Sequence, residues 1–165
     1  MRERAFTLVE LLVVISIIGI LASIGLVAFN SAQARSRDAQ RKSDLKQISS
    51  ALELFYSDYG QYPTSNNGQI IACPFVSGGV SGSCAWGTSE FTDSKTTYFR
   101  VLPKDKSSSQ YYYYQTVAVG SIANSGFQIY ARLENSQDSS IIITSVFCGA
   151  GVNCNFAVTS PNTTP

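Results

Sequence analysis

One apolar segment dominates the first thirty residues of this chain. Residues 5–29 read AFTLVELLVVISIIGILASIGLVAF, and Glu10 is the single charged residue among them. Residues 11–29 carry no charge, and in a helix they would cover roughly the 30 Å hydrocarbon thickness of a bilayer. The sequence therefore predicts a membrane-spanning helix near the N-terminus. A carboxylate at the edge of such a span is costly and calls for a partner.

Three kinds of segment fit this pattern. A cleaved signal peptide is one, because residues 32–34 (AQA) form a small-x-small cleavage pattern. The length of the apolar run and the position of Glu10 count against it. An uncleaved signal anchor explains the length but gives Glu10 no role. The third kind is indicated by a resemblance.

Residues 5–12 (AFTLVELL) resemble the cleavage and methylation signature of type IV pilins and type II secretion pseudopilins. The usual Gly before the Phe is Ala5 here. The resemblance implies that a prepilin peptidase cuts between Ala5 and Phe6, so that residues 1–5 are a leader peptide, and that the new amino group of Phe6 is methylated. It further implies an assembly ATPase, inner-membrane platform proteins, membrane lipid and other copies of the chain, in a helical homopolymer, as partners.

Glu10 acquires a role from the same resemblance. A carboxylate in lipid costs several kcal/mol, and a cationic amine brought alongside by another copy would offset much of that cost. The resemblance identifies this amine as the methylated nitrogen of Phe6 in a neighbouring subunit, so Glu10 would set assembly and axial register. In the alternative, Glu10 stays in the headgroup region and interacts with the dipole at the helix N-terminus.

The helical pattern continues beyond the apolar segment. Apolar residues recur at alternating three- and four-residue steps, which places them on one helical face; they are Leu45, Ile48, Leu52, Phe55 and Tyr59. No proline lies between Phe6 and Pro63, and Gly60 favours a helix end near residues 57–59. We predict one helix with an apolar half over residues 6–30 and an amphipathic half over residues 31–60. The first half must be buried in lipid or in a bundle of like helices.

Basic residues cluster between positions 35 and 46. As a nucleic-acid patch this cluster is unconvincing, because the net charge of the chain is only +1. The helical neighbours Asp38 with Lys42 and Arg41 with Asp44 would partly neutralise it, at the level of phospholipid headgroups. A count of basic residues on the two sides of the span favours a cytoplasmic domain.

The four cysteines favour the opposite side of the membrane. In an exported chain they indicate two disulfides, although three connectivities are possible. We choose Cys73 with Cys84 and Cys148 with Cys154, because each pair would close a short Gly-rich loop. The alternative is a four-thiolate metal site, but neither pair has the spacing of a zinc knuckle. The disulfides predict an extracytoplasmic domain on a single-pass membrane chain. The resemblance to pilins implies that the membrane is the inner membrane and that the assembled chain forms a periplasmic or extracellular filament.

The remainder of the sequence predicts a small sheet. Residues 61–110 form a connecting loop region, and residues 111–158 an antiparallel sheet whose strands are 111–119, 127–133 and 140–147. One face of the sheet is expected to pack on the apolar stripe, which we define as Leu45, Ile48, Leu52 and Phe55. Residues 159–165 are expected to be a flexible tail. The predicted fold is α+β and pilin-like.

Two later segments resemble the major pseudopilin group. They are Tyr56, Asp58, Gly60, Tyr62 and Pro63 at the helix end, and residues 102–105 (LPKD). That group commonly has a proline where this chain has Lys106, and some of its members bind calcium in a late loop. The candidate oxygen ligands here are scattered, so no metal or other cofactor is expected; they are Asp93, Asp105, Glu134 and Asp138.

The run of tyrosines at positions 111–114 allows two interpretations. It could stack on carbohydrate as an adhesive surface, or it could pack in the core and at its edge. Alternate residues of a strand point to opposite faces, so two tyrosines can be buried while two are exposed. Core and edge packing is the interpretation we favour.

Composition excludes most enzyme designs. The chain has no histidine, which removes His-based triads, general bases and metal sites. We expect no catalytic role and predict a structural filament subunit, either a pilin or a pseudopilin. The alternative from a different class is a monomeric membrane-anchored domain for binding or adhesion.

Overall fold

The computed structural model describes residues 8–165. Its largest element is the helix α1, Leu8–Tyr59, with 52 residues. Gly60 follows with φ +66° and donates its N–H to the Tyr56 carbonyl, which is the left-handed ending predicted from the sequence. The predicted length and end of the helix are confirmed. The predicted cleavage and methylation site at Ala5 and Phe6 lies outside the described residues.

Helix α1 has two unlike halves. Residues 8–33 are exposed wherever the structure describes their side chains, whereas contacts with the rest of the chain begin near Arg37. Within the described part of the chain, no helix is found that is both long and apolar enough to cross a membrane.

The apolar stripe forms the centre of the core. All four of its side chains are fully buried at 0% exposure. They pack in one cluster with side chains from the sheet, and this confirms the predicted helix–sheet contact; those side chains are Tyr114, Phe127, Ile129 and Ala131. Burial of each large apolar side chain stabilises the fold by about 1.5–3 kcal/mol.

The main sheet has three antiparallel strands: β5 is Tyr113–Val119, β6 is Ile122–Ala131 and β7 is Phe156–Thr159. They are ordered β5-β6-β7, with Tyr114 opposite Ile129 and Ile129 opposite Val158. The first two predicted strands are confirmed, although β6 begins five residues earlier than expected.

The third predicted strand, residues 140–147, is wrong. This segment makes isolated backbone contacts: Ile142 donates to the Asn155 carbonyl, and Cys154 donates to the Val146 carbonyl. The chain then turns back through Cys148 and Cys154, and the residues after this turn pair with β6 as β7. The strand at this edge of the sheet, beside β6, is therefore the segment after the disulfide turn, and residues 140–147 before the turn are not part of the sheet.

The connecting region, which the sequence predicted to be a loop, contains two hairpins. Strands β1, Ser65–Asn66, and β2, Gln69–Ile70, form the first, and β3, Phe91–Thr92, and β4, Thr97–Phe99, form the second. The first hairpin is attached to the main sheet, because the Tyr114 N–H donates to the Gly68 carbonyl. The second packs on α1, where the rings of Phe55 and Tyr98 lie 5.2 Å apart.

Both disulfides have the predicted pairing. Cys73 is joined to Cys84 and Cys148 to Cys154. The second disulfide lies on the face of the sheet away from α1, where it covers Tyr130 and buries it. The outer face of the sheet therefore has a small core of its own.

The C-terminal segment is held to β6. Thr163 donates its hydroxyl to the Phe127 carbonyl, and Ser160 donates its backbone N–H to the same oxygen. Gly126 makes room for this contact, because a Cβ there would lie 2.4 Å from Thr163 Cγ2. Residues 159–165 thus begin inside β7 and continue as a docked segment, where the sequence predicted a frayed tail.

Candidate functional site

The protruding part of α1, residues 8–36, is the first component of the site. Its large apolar side chains are between 47% and 78% exposed; they are Leu8, Val9, Leu11, Leu12, Val13, Val14, Ile15, Ile17, Ile18, Ile20, Leu21, Leu26 and Phe29. Successive helical residues are rotated by about 100°, so these side chains cover every side of the helix. An apolar surface of this extent requires a covering of lipid or of other protein chains.

Glu10 lies in the first described turn of this protruding helix, and its side chain is exposed. Within the described residues, the structure places Glu10 in the part of α1 farthest from the folded domain, beside the apolar surface.

The second component is a set of charged side chains where α1 enters the domain. We call it the junction cluster; its members are Arg37, Asp38, Arg41 and Lys42 on α1, and Asp105, Glu134 and Asp138 in loops. Arg41 is at its centre and is only 2% exposed. Three carboxylates converge on this one guanidinium.

Arg41 holds Asp105 in a forked geometry. Its Nε and Nη2 lie 2.6 and 2.9 Å from the two oxygens of Asp105, and its Nη1 lies 2.8 Å from both Asp38 and Glu134. Burial lowers the pKa of Arg41, but its hydrogen bonds to Asp105, Glu134 and Asp38 outweigh that effect and raise the pKa overall. Arg41 therefore stays charged in the buried cluster.

Two further pairs surround this centre. Hydrogen bonds from Arg37, and then from Arg41, lower the pKa of Glu134 to about 2, against the opposing effect of burial. Hydrogen bonds from Lys42 and Ser140 lower the pKa of Asp138 below its ordinary value. Lys42 Nζ also lies 5.5 Å from the centre of the Phe156 ring, which connects the cluster to β7.

Two aspartates of α1 bind the domain through neutral donors. Asp38 accepts the backbone N–H groups of Glu134 and Asn135, which fixes the loop after β6. Asp44 accepts the hydroxyl of Tyr112 at 2.7 Å. Burial, followed by this hydrogen bond to Asp44, raises the pKa of Tyr112. The domain is therefore fixed to α1 by polar as well as apolar contacts.

The predicted helical ion pairs are wrong in their partners. Lys42 binds Asp138 in place of Asp38, and Arg41 binds Asp105, Glu134 and Asp38 in place of Asp44. One signal in the sequence could have indicated these buried charges. Asp38 and Arg41 continue the three- and four-residue steps of the apolar stripe toward the N-terminus, so they lie on the same face of α1.

The four candidate calcium ligands have protein partners. Asp105, Glu134 and Asp138 form ion pairs with basic side chains in the junction cluster. Asp93 accepts a hydrogen bond of 2.6 Å from the hydroxyl of Tyr59. Among residues 8–165, no group of three or more His, Cys, Asp or Glu side chains is arranged to hold a metal ion. The expectation that no cofactor is bound remains an expectation.

The four consecutive tyrosines divide between the two faces as predicted. Tyr112 and Tyr114 are buried against α1, and the hydroxyl of Tyr114 donates to the Pro63 carbonyl. Tyr111 is exposed and Tyr113 half-buried on the opposite side, where they border an open cavity of about 460 Å³ with Phe147. The inward pair is thus part of the core.

Comparisons with known proteins agree with the N-terminal signature. The family described as the prokaryotic N-terminal methylation motif matches residues 1–26. Type IV major pilin protein PilA of Myxococcus xanthus is 44% identical over 61 residues, which are 37% of this chain and 28% of PilA. Type IV major pilin protein PilE1 of Neisseria gonorrhoeae is 33% identical over 72 residues, which are 44% of each chain. This chain spans less than half the length of these two pilins.

A longer match extends beyond the helix. Type II secretion system core protein G of Klebsiella pneumoniae is 30% identical over 112 residues, which are 67% of this chain and 73% of that protein. The chain belongs to the family of type IV pilins and type II secretion pseudopilins. Members of this pilin family are structural proteins, and the α+β pilin-like fold predicted from the sequence is confirmed. No solved structure matches this chain.

Proposed function

We propose that this chain is the structural subunit of a helical filament, either a type IV pilus or a type II secretion pseudopilus. The observation that carries the proposal is the protruding half of α1, whose apolar side chains are exposed on every side. Before assembly, lipid would cover this surface. In a filament, the same surface would be covered by the protruding helices of other copies.

The continuity of α1 explains how assembly would position the domain. The helix runs without a break from Leu8 to Tyr59, and its second half is fixed in the domain by the apolar stripe and the junction cluster. A displacement of the protruding half is therefore transmitted to the whole domain. Packing of the helices in the filament core would thereby set the arrangement of the domains around it.

Glu10 would supply the register of this packing. In the proposed mechanism, cleavage after Ala5 leaves Phe6 as a methylated N-terminal amine, and this cation binds Glu10 of a neighbouring copy. A charge pair surrounded by apolar side chains is strongly position-dependent, because a displaced carboxylate would lose its hydrogen-bonded partner in a poorly solvating environment. The pair would therefore favour one axial offset between neighbouring helices.

The proposal includes the partners and the location implied by the family. A prepilin peptidase would cleave the chain in the inner membrane, and an ATPase with its platform proteins would drive assembly there. The two disulfides fit an extracytoplasmic, oxidising location for the domain. The proposed role is structural and includes no catalytic step.

Processing can be tested on the mature protein. Mass spectrometry of the purified chain should find an N-terminal peptide that begins at Phe6 and carries one added methyl group. A chain that retains Met1, or that begins after Ala34, would contradict the proposed processing.

Helix packing can be tested by cross-linking. A cysteine introduced as Ile18→Cys, in the protruding helix, should give disulfide-linked dimers on mild oxidation of assembled material, because each chain then has one free thiol. The matched control Ser94→Cys, at an exposed turn between β3 and β4, should remain monomeric. A protein that stays monomeric at both positions would instead fit the alternative of a monomeric membrane-anchored domain.

A further inference from the structure

We propose that Arg35, Lys104 and Lys106 bind anionic phospholipid headgroups while the chain is still in the membrane. We call these three residues the basic edge. The inference rests on the proposed function, because it assumes that the protruding part of α1 is inserted in a bilayer. It identifies which basic residues of the chain face the lipid surface.

Most of the basic residues at the junction of α1 with the domain are bound to carboxylates. The sequence placed a basic cluster at headgroup level, but Arg37, Arg41 and Lys42 of that cluster are bound to carboxylates of the domain. Arg35 is exposed and lies two residues before Arg37, closer to the apolar segment, and none of the ion pairs within the described residues involves it. Lys46 is also exposed and outside these ion pairs, but it lies eleven residues farther along α1, so Arg35 is the remaining member of the cluster nearest the apolar segment.

The loop after β4 supplies two more cations. Asp105 points inward to Arg41 and its side chain is 1% exposed, while Lys104 and Lys106 on either side of it are exposed. The stem of Lys104 lies along Gly87, where an added Cβ would be 2.6 Å from Lys104 Cδ. The buried pair with Arg41 thus removes the negative charge of this loop from the surface and leaves two positive charges there.

The position of this loop along α1 brings it close to the membrane. Arg41 is twelve residues beyond Phe29, which is roughly 18 Å of helix. Its side chain also reaches back to Asp38, as helical side chains lean toward the N-terminus. Lys104 and Lys106 flank the carboxylate bound there, so they lie at the end of the domain that faces the apolar segment.

The remaining distance is short on the scale of electrostatic screening. The headgroup layer extends about 5–7 Å beyond the hydrocarbon edge. Lysine side chains can extend toward that layer, and a helix tilt of about 20° would bring one side of the domain closer to it. Attraction between charges also acts over a distance, because the Debye length at 0.1 M salt is about 10 Å. The basic edge is therefore within range of the negative potential of an anionic bilayer.

The acidic residues at the same end cancel only part of this charge, because the junction cluster has four carboxylates against three cations. Glu134 and Asp138 are bound to Arg37, Arg41 and Lys42 within the junction cluster. We favour an anionic lipid surface over nucleic acid as the partner, because a chain with a net charge of +1 has a weak long-range attraction for a polyanion in solution. Insertion in a bilayer, by contrast, holds the basic edge beside the headgroups.

The test uses the full chain reconstituted into vesicles. One set of vesicles contains phosphatidylcholine alone and the other contains 30% phosphatidylglycerol, a composition chosen for the assay. Lysines are modified with a membrane-impermeant amine reagent, and the modification rate at each lysine is read by mass spectrometry. Lys95 is the internal control, because its turn is held to Tyr59, roughly 27 Å farther along α1 than Arg41.

We expect modification of Lys104 and Lys106 to be at least twofold slower in phosphatidylglycerol vesicles than in phosphatidylcholine vesicles. This protection should disappear in 0.5 M salt, whereas Lys95 should react at the same rate in both lipids. Arg35→Gln should reduce the protection, because it removes one charge of the basic edge. The matched variant Lys95→Gln should leave the protection unchanged.

Other outcomes would overturn the inference. Equal rates for Lys104 and Lys106 in the two lipids would do so, and so would protection by a DNA duplex in solution without protection by the anionic vesicles. Flotation of the vesicles reports insertion of α1 separately. A chain that floats with the vesicles but shows no lipid-dependent protection contradicts this inference alone, whereas a chain that fails to float contradicts the proposed function.

Discussion

Arg41 and Asp105 form a forked ion pair, with Nε–Oδ2 and Nη2–Oδ1 distances of 2.6 and 2.9 Å, in which both side chains are almost completely buried. The two residues are 64 positions apart in the sequence. The pair joins α1 to the loop after β4 at the end of the domain nearest the protruding helix. In the proposed filament, this pair would fix the domain to the helix that carries it.

Removal of Arg41 should be strongly destabilising. Arg41→Met leaves Asp105 and Asp38 without their main cationic partner in a buried site, and the loss of one member of a buried pair costs about 3–5 kcal/mol. Urea unfolding of the full chain in detergent micelles measures this cost. The control Arg37→Gln removes a more exposed guanidinium and should cost clearly less than Arg41→Met, because solvent screens its ion pair. Equal costs for the two variants would contradict the central place of Arg41.

Acid should weaken the junction cluster. The pKa of Glu134 is about 2 in the folded chain and about 4.5 when unperturbed, so its stabilising contribution is present above pH 4.5. That contribution is lost as the pH falls toward 2, because the unfolded chain binds the proton first. Glu134→Gln should lose less unfolding free energy than the parent between pH 6 and pH 3. Glu90→Gln, with the same charge change away from the cluster, is the control.

The inward tyrosines should make the fold sensitive to alkali. Burial and the hydrogen bond to Asp44 raise the pKa of Tyr112, so the folded chain holds a proton that the unfolded chain releases near pH 10. Stability is therefore retained below pH 10 and falls as the pH rises above it. Tyr112→Phe should reduce this fall.

At neutral pH, the same tyrosine variant should be destabilised by about 1.5–3 kcal/mol, because it loses a hydrogen bond to a charged group. Tyr111→Phe, at the exposed neighbouring position, should change the unfolding free energy by less than about 0.5 kcal/mol. Equal losses of unfolding free energy for Tyr112→Phe and Tyr111→Phe would contradict the placement of Tyr112 in the core and of Tyr111 at the surface.

Truncation within the apolar stripe should test the helix–sheet contact. Ile48→Ala removes a fully buried side chain and should cost about 2–5 kcal/mol of unfolding free energy. Leu54→Ala, on the side of α1 where that leucine is 50% exposed, should cost less than about 1 kcal/mol. If the two costs are equal, the stripe is not the face that packs on the sheet.

The features that could be predicted from the sequence are those encoded locally. The extent of α1 follows from apolar periodicity and from Gly60, and the stripe follows from residue spacing. The pairing within each cysteine pair follows from short loops. Each of these predictions uses residues that are close together in the sequence. The larger cysteine loop, for example, has a separation of only 11 residues.

The features that were missed depend on distant parts of the chain. Residues 140–147 have a stronger strand composition than Phe156–Thr159, yet the turn closed by Cys148 and Cys154 gives the place beside β6 to the later segment. Lys42 likewise had Asp38 within one helical turn, but it binds Asp138, 96 positions away. Local spacing shows that a charge can be paired and does not reveal which distant loop will reach it.

The role of Glu10 in assembly gives the most direct test of the account. Filaments sheared from cells that express Glu10→Ala are counted and compared with those from the parent and from Ser16→Ala, a polar position on the same exposed helix. We predict that Glu10→Ala abolishes filaments while membrane insertion and urea unfolding of the domain stay unchanged, and that Ser16→Ala assembles normally. A filament yield from Glu10→Ala equal to that of the parent would contradict the account.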